Sequence, residues 1–62
     1  MKVDSSFIRD VDWKDKIMKV YFRNGTIVTY YHVPEEEYTR FVASPSVGRY
    51  YHLNIKGKYP EN

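Results

Sequence analysis

Apolar and polar positions alternate most regularly across residues 17–33, IMKVYFRNGTIVTYYHV, and this stretch predicts a β-hairpin. Residues 17–22 and 27–33 are rich in β-branched and aromatic side chains. Between them Arg23-Asn24-Gly25 carries turn chemistry, with Gly25 free to take a positive φ. Two registers satisfy the pattern. A two-residue Asn24-Gly25 loop sets Phe22 opposite Ile27 and groups Met18, Val20 and Phe22 with Ile27, Tyr31 and Val33. A three-residue loop, with Arg23 and Asn24 in a type I turn and Gly25 as a left-handed bulge, sets Phe22 opposite Thr26. It groups Met18, Val20 and Phe22 with Val28 and Tyr30, leaving Ile17, Lys19, Tyr21, Ile27, Thr29 and Tyr31 on the opposite face.

Before the hairpin, residues 1–5 are short and polar, a segment expected to fray. Residues 6–13, SFIRDVDW, predict a first strand in which Ile8 is out of phase with Val11 and Trp13, so a bulge is expected near Arg9-Asp10. Lys14-Asp15-Lys16 is a charged turn too short for anything but an antiparallel connection. After the hairpin, Pro34 opens a helix whose first turn is Glu35-Glu36-Glu37, a charge run read as a solvated helix start. Tyr38, Phe41 and Val42 form its buried stripe. Ser44-Pro45-Ser46 breaks that helix and offers a cap for a second short one over residues 47–55, with Val47, Tyr50, Tyr51 and Ile55 as its apolar positions. Residues 56–62 form a basic tail, expected to be extended. The expected fold class is α+β: a three-stranded antiparallel meander followed by two short helices on one face, βββαα.

Sixty-two residues allow one domain. A chain of this size buries only about 60% of its unfolded surface, so its stability rests on good packing or a partner subunit. Cysteine is absent, which removes disulfides and thiolate metal sites and suits a reducing cytoplasm. Aromatic residues make up 18%, seven of them tyrosine, and supply much of the area available for burial. The net charge of +2 permits contact with nucleic acid without requiring it. No apolar run approaches the roughly 20 residues of a membrane span, and no signal-peptide core opens the chain, so a cytoplasmic location is expected.

The chain resembles the KTSC domain, a small module named for its occurrence at the C-terminus of some lysyl-tRNA synthetases and found also as a stand-alone protein. Ser6, Ile8, Met18, Val20, the Phe22-Arg23-Asn24-Gly25 run, Tyr30 and Val33-Pro34 resemble the family's first half. Ser46-Val47-Gly48-Arg49-Tyr50-Tyr51, Ile55-Lys56-Gly57 and Tyr59 resemble the second, more specific half. Val28 stands where the family usually has the first tyrosine of a Tyr-x-Tyr pair, which favours a packing role for that position. The resemblance pairs positions 28 and 30 with 18, 20 and 22, and so implies the three-residue loop. It also implies RNA binding, without an established activity.

Two surfaces carry candidate chemistry. On the sheet face left free by the helices, Lys19, Tyr21 and Tyr31 would offer rings and a cation for stacking unpaired bases, or a protein or homodimer interface. Toward the C-terminus Arg49, His52, Lys56 and Lys58 interleave with Tyr50, Tyr51 and Tyr59, a pattern suited to phosphate neutralisation with stacking by Tyr51. Its bland alternative has Tyr50 in the core, Arg49 paired to an acidic residue of the first helix, and the lysines serving solubility. His32 and His52 lack companion ligands, and Asp10 and Asp12 alone are weak evidence for a divalent ion, so no metal or cofactor is expected. No Ser or Thr has the base and orienting group of a nucleophilic site, and an enzyme is not expected. The leading expectation is a non-enzymatic module binding RNA or another polyanion; the runner-up is a small protein-interaction factor, adaptor or inhibitor, as a candidate homodimer.

Overall fold

The computed structural model describes residues 2–62. Three strands, β1 (Ile8–Lys14), β2 (Ile17–Phe22) and β3 (Ile27–Tyr30), form an antiparallel sheet in the order β1-β2-β3. Helix α1 (Glu35–Ala43) follows, then α2 (Val47–Tyr50), which runs directly into a π-helical turn, Tyr51–Ile55. The βββαα meander with helices on one face is the architecture expected from the pattern.

Register follows the three-residue loop. Val20 faces Val28 and Met18 faces Tyr30, and the Phe22 N–H donates to Thr26 O at 2.8 Å. Gly25 takes φ +94°, the left-handed bulge that lets the strands close on this register. The bulge in β1 is also present: Ile8 pairs with Phe22 and Asp10 with Tyr21, so Arg9 is the extra residue. It returns Ile8 to the face carrying Val11, and both are fully buried. At the β1–β2 turn Asp15 and Lys16 both adopt positive φ, 51° and 67°, the backbone that a two-residue hairpin demands and that L side chains resist.

The core is apolar apart from tyrosine hydroxyls: Ile8, Val11, Met18, Val20, Tyr30, Val33, Phe41, Val47, Tyr51 and Ile55. Tyr51 is its hub, with ring contacts to Phe22 at 5.4 Å, Tyr30 at 6.2 Å and Phe41 at 6.3 Å. Burying two hydroxyls is tolerated because those of Tyr30 and Tyr51 bond each other at 2.7 Å. Trp13 stacks on Tyr38, and its Nε1–H donates to Val33 O at 2.8 Å, tying β1 to the segment entering α1.

Three expectations are corrected. Residues 2–5 are held rather than loose: Lys2 bridges Asp10, Val3 N–H donates to Arg9 O, and Arg23 Nε–H donates to Ser5 O at 2.9 Å. Met1, from the same segment, lies outside the described residues. The C-terminal segment is not a free tail. Gly57 turns the chain at φ +76°, Tyr59 donates to Glu37 Oε1 at 3.0 Å, Pro60 O accepts from Tyr31 N–H, and Asn62 N–H donates to Thr29 O. Glu61 thereby bridges Tyr30 along the open side of β3. Finally, Ser46 precedes α2 without a capping side-chain bond; the hydroxyl of Ser44 instead accepts from Ser46 N–H and donates to Ser46 O, closing the interhelical turn.

Candidate functional site

Residues 49–56 alternate between the core and solvent with a wider period than an α-helix gives. The Lys56 N–H reaches back five residues to Tyr51 O at 2.8 Å, and this broad turn puts both Tyr51 and Ile55 under the sheet. Arg49, His52 and Lys56 are left exposed along one flank. Tyr51, expected to offer its ring to a ligand, is only 6% exposed and lies in the core; the hydrophobic hub needs its ring more than the surface does. The half-buried tyrosine of the pair is Tyr50, stacked on Phe41 at 5.8 Å.

The helices do not cover the whole inner face of the sheet. Phe22 and Val28 point toward the helical layer yet are only half-buried, because that layer stops short of the hairpin tip. Phe7 stacks beside Phe22, centroids 6.1 Å apart and planes within 9°, and its ring also lies against Gly48 and His52. Two depressions meet there. One runs between residues 4–7 and the start of α2, with Asp4, Ser5, Arg49 and His52 in its walls. The other, of about 450 Å³, has Phe7, Phe22, Val28 and Tyr51 at its floor and Asn24, Thr26, His52, Lys56 and Glu61 at its rim. His52 and Phe7 line both, so the two adjoin along the helix flank as a groove with the Phe7 and His52 rings, 5.6 Å apart, between its halves. Arg49 and Lys56 line it from the helical side, and Asp4 and Glu61 line it from the other segments.

The remaining expected site residues lie elsewhere. Lys19 and Tyr21 are on the outer face of the sheet, opposite Asp12 and Asp10 respectively, so charge there is balanced rather than basic. Arg9 sits 5.9 Å over the Tyr21 ring and pairs with Asp10 at 3.1 Å, which occupies the ring face a base would use. Ile17 and Ile27 are exposed on the same face, 39% and 55%. Tyr31 is half-buried just past β3, and Lys58 is exposed beyond the Gly57 turn, outside the groove. Arg49 does not take a carboxylate of α1. Glu37 is instead held by the hydroxyls of Tyr50 and Tyr59, pairings from 13 and 22 residues away that the acidic run gave no sign of. Burial, with the Glu37 carboxylate beside it, pushes Tyr50 up to about 12, and the same causes raise Tyr59. Sequence reasoning also missed Phe7, Phe22, Asn24 and Leu53, the last 59% exposed near Arg49. Only the Asn-Gly turn flagged Asn24, and it did so as structure.

Among the described residues no three His, Asp or Glu are grouped to hold a metal ion, and no helix is long and apolar enough to cross a membrane. The KTSC domain family matches residues 4–59 of the chain. A crystal structure of a KTSC domain protein from Yersinia pestis superposes with a TM-score of 0.94 at 30% identity, covering 100% of this chain and 90% of that one. Comparison with curated proteins gives no match.

Proposed function

The chain belongs to the KTSC domain family, and from that premise we propose that it is a non-enzymatic binding module that seats a single-stranded RNA, or a polyanion like it, along Arg49, His52 and Lys56. One observation carries the reading: these three side chains share the exposed flank of the last helix and edge the two adjoining depressions, which meet at Phe7. Cations spaced along a groove with aromatic surface between them neutralise a backbone while leaving room for rings.

Salt titration with a fluorescent single-stranded oligoribonucleotide tests it. With Arg49 and Lys56 as the two charged contacts on a single strand, log affinity should fall against log salt with a slope of about −1.4. Arg49→Glu and Lys56→Glu should each weaken binding and flatten that slope. Lys58→Glu, outside the groove, should do so less. Unchanged binding in both groove variants rejects the reading.

A second reading has its own observation. Ile17, Ile27 and Tyr21 on the charge-balanced outer face form a surface suited to protein contact, including a second copy of the chain. Such an association should be nearly insensitive to salt. Ile27→Asp or Tyr31→Asp should give monomers by light scattering; a dimer that persists in both rejects that interface.

A further inference from the structure

We propose that the 450 Å³ depression between the hairpin tip and the last helix is a pocket for one unstacked nucleobase of the bound strand. The proposal rests on the polyanion reading above and adds what the strand inserts. The pocket exists because the helices end early over the inner face, leaving Phe22 and Val28 half-covered. It is an open depression rather than an enclosed cavity.

The wall chemistry favours a flat ring with a polar perimeter. Phe7 and Phe22 stack with their planes within 9° of parallel, and both rings line the depression. Tyr51 stands edge-on behind both, at 71° and 77°, and fixes their orientation. The rim supplies both kinds of polar partner. Asn24 Oδ1 already accepts from Thr26 N–H at 2.9 Å, so its NH₂ is the group left to donate, with Lys56 a second donor. Glu61 across the rim is an acceptor suited to an exocyclic amine. An aliphatic side chain would leave these groups desolvated and unpaired. The same carboxylate repels a phosphate at that end, which directs the backbone toward His52 and Arg49.

The experiment compares a fluorescent single-stranded oligoribonucleotide with an abasic ribose-phosphate strand of equal length and charge, at one salt concentration. Wild type should bind the base-bearing strand roughly 10-fold more tightly, the scale of one base stacked on aromatic rings. Phe22→Leu, which keeps the site apolar but not aromatic, should bring the ratio of the two affinities close to one. Should that variant fail to fold, NMR of the wild type gives an independent readout: the Asn24 side-chain amide and the Phe22 ring should shift with the base-bearing strand and not with the abasic one. Equal affinity for the two strands, with Arg49 and Lys56 still required, overturns the pocket and spares the polyanion reading. A base preference that leaves Asn24 and Phe22 unmoved places the base elsewhere and also overturns it. Loss of any Arg49 and Lys56 dependence overturns both. So does a peptide with an aromatic residue shifting the same resonances while neither strand binds.

Discussion

Tyr51 makes more ring contacts than any other described residue, and its hydroxyl bonds that of Tyr30 inside the core. Tyr51→Phe should therefore cost about 1–3 kcal/mol in urea unfolding by stranding a buried hydroxyl, and Tyr51→Ala, which also opens a cavity, about 3–5 kcal/mol. Gly48 is constrained from outside its own backbone. A Cβ there would lie 2.6 Å from Phe7 Cε1, so Gly48→Ala should push that ring outward and destabilise by about 1–3 kcal/mol. Tyrosine ionisation is coupled to folding through the same residues. Burial and the neighbouring Tyr51 hydroxyl raise Tyr30, and Tyr50 is pushed up to about 12, so the folded state favours the neutral phenol in both. Their contribution to stability is complete below the ordinary value of 10.0; that of Tyr50 is lost as pH rises through about 12, and that of Tyr30 at higher pH still. An alkaline titration should show a late class of phenolates appearing together with loss of near-UV circular dichroism. Ionisation of all seven tyrosines in one early step would contradict this burial.

Among the elements, the β1–β2 turn holds two non-glycine residues at positive φ while its Lys16 carbonyl accepts from Val33 N–H at 2.9 Å. Lys16→Gly keeps that bond and relieves the steric penalty, and should raise stability by up to about 1 kcal/mol, measured by thermal unfolding. The strands were legible because Asn24-Gly25 fixes the turn and the misfit of Ile8 with Val11 betrays the bulge at Arg9. Alternation alone did not decide the hairpin register, since either choice fills a face with apolar side chains. The end of the chain was less legible. Adjacent Tyr50 and Tyr51 differ by one helical step, and the widened turn after Tyr50 decides which of them goes inward. Likewise nothing local to Glu37 announces Tyr59, so a docked segment reads as a basic tail. The groove itself was hidden because periodicity tells which face of a sheet is apolar, not how far the helices extend over it.

For the whole molecule, the useful division is not between a covered and a bare side of the sheet but between the covered and uncovered parts of one side. The outer face carries paired charges and a tyrosine already capped by Arg9. The inner face is closed around Tyr30 and Phe41 and open around Phe7 and Phe22. The clamp of Glu37 on Tyr59 holds the segment that brings Glu61 to the rim, so Tyr59→Phe should cost about 1 kcal/mol. It should also speed hydrogen exchange at the Tyr31 and Asn62 amides, whose acceptors lie in or against that segment. The return of residues 60–62 along β3, together with Lys2 and Val3 along β1, has a consequence for solubility as well. Among the described residues, 60–62 thus occupy the margin along β3 while Lys2 and Val3 occupy that of β1 at Arg9 and Asp10, which leaves less edge on which separate molecules could zip into fibrils. Trimming the chain after Tyr59 should bare Thr29 and Tyr31 and yield thioflavin-binding aggregates at concentrations where the intact chain stays clear.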